Sequence, residues 1–366
     1  MVGRRSESRV EAGSNNGWGR SGRAARWRQQ RKPQLIKPKI VIISPALAKA
    51  NNGNWQTARR WAHFLRSDFA VECRSDWPAD DHGAAPQAMI ALHARRSALA
   101  IAAFAERFPA RPLVLVLTGT DLYRDIDSDA TAQHSLQLAS HLVVLQPAGL
   151  ERLDADMRRK TQVIYQSAPA LAPHTPVASP RHIDIIMIGH LREEKRPRTF
   201  MLAAALVTTP RVRLLHIGAA LDPALGALAA QTAAATPRYQ WLGALPHAQT
   251  RQRLKRCALM VISSEMEGGA NVIIEAVTCG VPVLASAIDG NRGMLGDDYQ
   301  GYFLLGDSAA LARLIDRAAS DQVFYAELKR QCALRAPLFD PASEKAAVCE
   351  LMDNCLDHCA PHSPNV

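Results

Sequence analysis

The chain has 366 residues and carries 44 Lys and Arg side chains against 34 Asp and Glu, a formal charge of +10. Most of this charge lies near the start. Residues 1–39 hold 11 basic and two acidic side chains, whereas residues 40–366 are almost neutral, with 33 basic and 32 acidic side chains. Because nucleic-acid binding needs basic residues clustered on a folded surface, the high pI does not indicate such a protein, and we expect no nucleic-acid partner.

Length and hydropathy set further limits. A chain of this length exceeds what one hydrophobic core usually serves, which predicts two domains of ordinary size. No apolar run approaches the ~18 residues that span a bilayer, and residues 1–34 lack the apolar centre of a secretory signal. The seven cysteines form no C-x-x-C pair, which is typical of reduced thiols. We therefore expect a cytoplasmic protein with no integral membrane segment.

Residues 1–37 form a basic tail that is rich in Ser, Asn, Gly, Arg and Gln. Its few aliphatic side chains cannot offset the entropy lost on ordering, so we expect the tail to be disordered.

The segment 38–167 alternates short apolar runs with amphipathic helical patterns. Continuous β-branched runs are typical of parallel strands buried on both faces. The predicted strands are Ile40–Ser44, Met89–His93, Leu113–Thr118, His141–Gln146 and Gln162–Gln166. The pattern predicts a Rossmann-like N-terminal domain.

Four prolines follow in residues 168–181, which excludes a helix interior or a central strand and indicates a linker. A second βα series occupies residues 182–338. Its predicted strands are Ile183–Ile188, Leu214–Gly218, Tyr239–Gly243, Leu259–Ser263, Val281–Ala285 and Tyr302–Leu305. Two doubly wound domains should form a cleft at the carboxyl ends of both sheets, where ligands bind.

Residues 339–366 are interpreted as a helix and tail that return to the first domain. An alternative interpretation of this segment is a zinc site with the ligands Cys355, His358, Cys359 and His362. We favour the closing helix and predict no metal site.

The stretch Ser264–Gly280 reads as a loop, a helix N-terminus, a helix and a glycine cap. Its loop contains Glu267, Gly268, Gly269 and Ala270. Backbone N–H groups at such a helix start favour a phosphate, because they point toward the ligand and the helix dipole attracts negative charge. Eight residues beyond Glu267, Glu275 is suited to accept hydrogen bonds from hydroxyl groups, as acidic residues do with ribose. Together these features predict a site for a nucleotide joined to a sugar.

This pattern, E-x7-E followed by G-V-P-V, resembles the retaining glycosyltransferases of family 4. The resemblance implies an α/β protein of the GT-B fold, with two Rossmann-like domains facing a cleft and a C-terminal helix packed on the first domain. It implies that Glu267 contacts the donor sugar, that the amides of Gly268, Gly269 and Ala270 hold the diphosphate, and that Glu275 binds the ribose. Asn271 is also assigned to the donor site, at a position that is commonly apolar or aromatic in the family.

Other donor-side segments follow the same order. Residues 189–195 resemble the family's G-R-L-x-x-x-K, whose cations neutralise the diphosphate. Lys195 matches in place, His190 stands where Arg is usual, and Arg192 is a candidate for the missing guanidinium. Gly243 lies in a segment that resembles the one whose backbone contacts the nucleotide base in the family.

In the first domain, Gly53 and Asn54 open a helix in the position of the family's glycine loop, which faces the transferred group. Arg59, on the next turn, is either an acceptor-binding residue or part of a solvated face. His93 and Arg95 lie just beyond a strand, at the cleft edge, and the same two interpretations stay open for Arg95.

The residues Thr118-Gly119-Thr120-Asp121 resemble the family's H-G-T-D, with Thr118 in place of the sugar-contacting His. We place Thr118 and Gly119 on the acceptor side. Asp121 is suited to orient a hydroxyl or to cap the next helix. We assign Glu267, Asp121 and His93 as candidate catalytic residues.

A finer resemblance covers nearly all of residues 38–360. Runs such as SPALAKANNGNWQTARRW, LTGTDLYRDI and EGGANVIIEAV are similar to the selenosugar synthases of selenoneine biosynthesis. The resemblance implies that selenophosphate attacks the anomeric carbon of UDP-N-acetylglucosamine or UDP-glucose to give a 1-seleno-sugar. The expected partners are thus a UDP-sugar and a small anionic acceptor, with no cofactor beyond the UDP-sugar substrate. A transferase for another small acceptor and a UDP-sugar epimerase are the alternatives.

Overall fold

The computed structural model describes residues 37–45, 53–77, 84–172 and 181–357. The predicted tail up to residue 36 and the linker residues 173–180 lie outside these ranges. The chain divides into two units, Met1–Ile36 and Lys37–Val366, and the elements below belong to the second unit. Among its described helices, none has the length and hydrophobicity that a membrane crossing requires.

The first sheet is parallel throughout and is flanked by helices. Its strands are β1 (Lys39–Ile43), β2 (Ala70–Arg74), β3 (Ala88–Leu92), β4 (Leu113–Leu117), β5 (His141–Val144) and β6 (Thr161–Val163). Its helices are α1 (Gly53–Leu65), α2 (Ala98–Arg107), α3 (Ile126–Ser128), α4 (Ala130–Leu138) and α5 (Ala155–Arg159). The strand order β2-β1-β3-β4-β5-β6 reverses between β1 and β3, so the loops after these two strands flank the switch point where ligands bind.

Strand β2 was missing from the sequence prediction. It forms the sheet edge and has the sequence AVECR, with every residue at least partly exposed. Because Glu72 pairs with Lys39 and Arg74 on this edge, the strand lacks the continuous apolar run that identified the others.

The second sheet is also parallel. Its strands are β7 (Ile183–Ile188), β8 (Val212–Ile217), β9 (Tyr239–Trp241), β10 (Leu259–Ile262), β11 (Val283–Ser286) and β12 (Tyr302–Phe303). Its helices are α6 (Pro197–Leu206), α7 (Pro223–Ala235), α8 (His247–Leu254), α9 (Asn271–Thr278), α10 (Asp289–Leu295), α11 (Ser308–Ser320) and α12 (Gln322–Arg335). The order β12-β11-β10-β7-β8-β9 places a second switch point between β7 and β10.

Helix α13 (Pro341–Asp357) closes the chain against the first domain, as predicted. Its buried side chains Val348, Leu351 and Met352 share a hydrophobic cluster with Trp61 of α1. His358, Cys359 and His362 of the alternative zinc site lie outside the described residues.

A buried carboxylate fixes this helix in place. Glu344 of α13 accepts hydrogen bonds from Arg60 Nε at 2.7 Å, from Trp61 Nε1 at 2.8 Å and from the Ser167 amide at 2.8 Å. Burying a charge is costly unless it is paired and fully hydrogen-bonded, and Glu344 meets both conditions. It thereby joins α13, α1 and the segment that leaves the first domain after β6.

Candidate active site

The loop between β10 and α9 carries the predicted phosphate-binding residues. Helix α9 begins at Asn271, and its N-cap residue, Ala270, has no side-chain acceptor for the first N–H groups, although the Ile273 amide donates to the Ala270 carbonyl at 2.9 Å. The Ser263 hydroxyl donates to the carbonyls of Lys195 and Arg196, at 2.9 and 3.0 Å. This ties the loop after β10 to the loop after β7, the two strands at the second switch point.

An ion pair between Lys195 and Glu267 results from this arrangement. The two side chains are only 20% and 11% exposed, so solvent screens the pair less than it would a surface pair. The structure thus brings the predicted diphosphate cation and the predicted sugar-contacting carboxylate together at the start of α9.

His190 lies in the same loop and is held by the protein. The Ala219 amide donates to its Nδ1 at 3.0 Å, which places the proton of the neutral ring on Nε2. Burial, together with the nearby cations Arg192 and Lys195, lowers the pKa of His190. The position where the family has Arg therefore carries a neutral N–H donor. Arg192 is next to it, and its Nε is buried without a partner among the described residues.

Behind this loop, His216 supports Gly189. The ring is fully buried, with Nε2 at 3.2 Å from the Gly189 carbonyl and Nδ1 at 2.9 Å from the Tyr239 hydroxyl. Burial lowers the pKa of His216 to about 4. Since its unfolded value is near 6.5, the unfolded chain binds the extra proton first as pH falls.

We expect this histidine to make the free energy of unfolding pH-dependent. Its contribution is complete above pH ~6.5 and is lost toward pH ~4, a total of about 3 kcal/mol. Denaturant unfolding at pH 7 and pH 4, compared between the wild type and His216→Gln, measures it. The variant should lose less stability between the two pH values, and equal losses would contradict the assignment.

Glu275 lies one turn into α9 and is 8% exposed. His247, the first residue of α8, has its Nε2 at 2.5 Å from Oε1 of Glu275. The sequence patterns gave this imidazole no role. Gly243, in the turn after β9, has a φ of 66°, which favours glycine, and its carbonyl accepts the Gly218 amide at 2.9 Å.

The first domain contributes the loop after β4. The buried carboxylate of Asp121 accepts the amides of Thr118 and Gly119, both at 2.9 Å, and the amide of Ala94 at 3.0 Å. These bonds fix the loops after β3 and β4, so the geometry favours a positioning role for Asp121. Its catalytic role stays a prediction.

His93 directly follows β3 and has a φ of 75°, which is uncommon for a residue other than glycine and marks a strained position. The ring is 2% exposed, and its Nε2 lies 3.0 Å from the Thr120 hydroxyl. Burial lowers its pKa, although Asp121 and Asp125 at about 4 Å oppose the shift. The structure therefore places a buried imidazole with a lowered pKa just beyond β3, at the carboxyl edge of the sheet.

The structure places Arg95 in an ion pair beside the cleft. Its Nε donates to Asp125 at 2.8 Å, and Asp125 also pairs with Arg124. Arg124 in turn lies 3.8 Å from Glu194 of the second domain. Arg95 belongs to an ion-pair network beside the cleft, and an anionic acceptor would have to compete with Asp125 for it.

The two domains touch at the predicted site. A Cβ added to Gly268 would lie 2.5 Å from the carbonyl carbon and oxygen of Thr118 and 2.8 Å from the amide of Gly119. One added to Gly269 would lie 2.7 Å from Cβ of Leu145. Both glycines are therefore needed for the close approach of the first domain to the loop between β10 and α9.

A second contact joins the starts of α1 and α9. The nearest atom to a Cβ added at Gly53 would be Asn271 Nδ2, at 3.4 Å. Asn54 follows Gly53 in the first turn of α1. Residues 51 and 52 of the predicted glycine loop lie outside the described ranges.

A cavity of about 400 Å³ lies beside this contact, between α1 on one side and α8 and α9 on the other. Arg59, Asn271 and Glu275 line it, as do His247 and Arg251. The structure thus brings Arg59 opposite the predicted ribose carboxylate, a neighbourhood that the sequence did not reveal.

Two doubly wound domains with an acidic, glycine-containing loop at their cleft have the architecture of the GT-B fold of glycosyltransferases. Residues 177–337 match the model of the family described as "Glycosyl transferases group 1", so the second domain is a domain of that family.

Solved structures of this fold cover most of the chain. HepE of Anabaena, crystallised with UDP and glucose, is 18% identical with a TM-score of 0.67, over 87% of this chain and 100% of that chain. Sucrose-phosphate synthase of Thermosynechococcus elongatus is 17% identical with a TM-score of 0.68, over 88% and 100%. The pneumococcal O-GlcNAc transferase GtfA, crystallised with UDP and GlcNAc, is 14% identical with a TM-score of 0.55, over 75% and 57%. The predicted GT-B fold is confirmed.

Proposed function

We propose that this protein transfers a sugar from a UDP-sugar to selenophosphate. For the UDP-sugar donor, the main support is the Lys195–Glu267 ion pair at the start of α9, with Glu275 one turn further along the helix, whereas selenophosphate as the acceptor rests on the sequence resemblance. A cation and backbone amides suit the diphosphate, and two carboxylates suit the hydroxyl groups of sugar and ribose. The structures of HepE with UDP-glucose and of GtfA with UDP and GlcNAc support a UDP-sugar donor.

The reaction then follows from the charges in the cleft. The selenium of selenophosphate attacks C1 of the sugar, the C1–O bond to UDP breaks, and UDP leaves with the electron pair. Lys195, the loop amides and the Nε2–H of His190 stabilise the charge on the departing diphosphate. Water then cleaves the P–Se bond, giving phosphate and the 1-seleno-sugar. The attacking selenium is already anionic at neutral pH and needs little help from a base, which is consistent with the bonds that occupy Asp121.

The acceptor is tested by measuring UDP release from UDP-glucose and from UDP-N-acetylglucosamine by the full-length protein. We expect UDP to appear only when selenophosphate is added. Equal release with phosphate, or with no acceptor, would overturn selenophosphate as the acceptor. Conversion of the UDP-sugar alone to an isomer, without release of UDP, would instead support the epimerase alternative.

Glu275 gives a second test, which addresses the donor. Glu275→Ala should weaken UDP binding by about 10- to 100-fold, because a charged acceptor of hydrogen bonds is removed from the ribose. Isothermal titration calorimetry with UDP measures this. Glu327→Ala is the control, since Glu327 pairs with Arg330 on α12, outside the cleft. Unchanged UDP affinity in Glu275→Ala would count against the ribose role.

A further inference from the structure

The cavity between α1 and helices α8 and α9 is strongly basic. Its basic lining comes from both domains: Arg59, Arg60, His63, Arg66, His247 and Arg251. Among the described lining residues, Glu275 is the single carboxylate, and His247 already contacts it. A concave surface with this excess of positive charge attracts anions.

Two of these arginines carry buried N–H groups that lack an acceptor among the described residues. Arg60 donates from Nε to Glu344, yet its Nη2 is buried and unpartnered. Arg251 is 9% exposed and donates from Nη2 to the Pro169 carbonyl, yet its Nε is buried and unpartnered. A buried donor without an acceptor costs free energy, so such groups call for a ligand or water.

The cavity overlaps the predicted donor site only at α9. Lys195, Glu267 and His190 do not belong to its lining, and neither does Arg95. Asn271 and Glu275 do belong to it, so it adjoins the donor site at the start of α9. An anion in this cavity would lie beside the donor nucleotide and would not replace its diphosphate.

We propose that this cavity binds the second substrate through a tetrahedral oxyanion of the phosphate class. Arg60 of the first domain and Arg251 of the second donate to it from opposite walls. Arg59 on α1 and Arg66, the residue that follows α1, are exposed and lead the anion inward. The identity of this anion as selenophosphate rests on the proposed function, whereas its chemical class rests on the cavity.

Binding of an anion here also links the domains. Arg60 is tied through Glu344 to Ser167, and Arg251 is tied to Pro169, two residues further along the segment between the domains. An oxyanion shared by the two guanidiniums therefore draws both walls of the cleft together. The acceptor would favour the closed arrangement that the reaction needs.

Inorganic phosphate is the probe for this site, because it has the same class of oxyanion and lacks the selenium nucleophile. Calorimetry with the full-length protein, with and without saturating UDP, should show one phosphate bound per chain in both conditions. Arg251→Gln and Arg59→Gln should each weaken phosphate binding at least about tenfold while UDP binding is kept. Arg330→Gln, on the exposed face of α12, is the control and should leave phosphate binding unchanged.

Three outcomes would overturn the site: no phosphate binding, loss of phosphate binding when UDP is saturating, or unchanged binding in Arg59→Gln. Arg59 is exposed, so its variant tests the site even if Arg251→Gln fails to fold. The experiments distinguish failure of the proposed anion site from failure of the proposed function. Phosphate binding that depends on Arg59 without any transfer to selenophosphate rejects only the proposed function. Transfer to selenophosphate, together with phosphate binding that is unchanged in Arg59→Gln, rejects only the site.

Discussion

Replacing Lys195 with methionine is expected to lower kcat for UDP release about 10²- to 10³-fold, while the protein keeps its fold. Methionine preserves the length of the side chain but removes the charge that stabilises the departing diphosphate. Losses of this size are typical when one group that stabilises transition-state charge is removed from a water-excluded site. The effect should exceed that of Glu275→Ala, because Lys195 acts on charge that grows during the reaction, whereas Glu275 holds the ribose throughout.

UDP release at saturating donor and acceptor, together with calorimetry of UDP binding, measures the effect. Lys329→Met is the matched control, since Lys329 is exposed on α12. An unchanged kcat in Lys195→Met would show that the ion pair with Glu267 is structural, and the proposed function would lose its main support.

Gly268→Ala is expected to lower kcat about 10²-fold with little change in UDP affinity. The added methyl group would lie 2.5 Å from the Thr118 backbone, a distance that no side-chain adjustment relieves. Gly268 does not have a positive φ, so alanine is compatible with the loop itself. The strain therefore falls on the contact between the domains, and a displacement of about 1 Å at a reacting centre is enough for a loss of this size.

Measuring kcat together with UDP affinity distinguishes an effect on the contact between the domains from an effect on folding. A thermal unfolding midpoint near that of the wild type, with UDP still bound and transfer lost, is the expected pattern. Full activity in Gly268→Ala would mean that the domains react without the contact at Thr118. Loss of UDP binding would mean that the methyl group distorts the donor loop itself.

Much of the fold and part of the site follow from local patterns. Apolar runs separated by helical periods identified eleven of the twelve described strands, because parallel strands buried on both faces have this pattern. The spacing from Glu267 to Glu275 placed both carboxylates around one helix start. Gly280, predicted to cap that helix, has a φ of 73°. Strand β2 was missed because an edge strand does not need an apolar run.

The basic residues illustrate which contacts cannot be predicted from local sequence patterns. Arg59 and Arg95 had the same two interpretations from sequence, yet Arg59 lines the cavity while Arg95 pairs with Asp125. Arg251 and His247 drew no attention, because a polar residue in the first turns of a helix is ordinary. The contact of His247 with Glu275 exists only after the second domain folds, and the approach of both residues to α1 exists only after the two domains pack.

The sequence by itself determined most elements and the two doubly wound domains, and it predicted a phosphate-binding loop before α9, since each depends on neighbours a few positions away. The tertiary structure alone decided which charges meet. Arg60 and Glu344 are 284 positions apart, and Lys195 and Glu267 are 72 apart. Such pairs depend on how the sheets and their helices pack. The charge of a side chain does not indicate which distant residue in the sequence will be its partner. The basic cavity between the domains is for this reason a property of the fold.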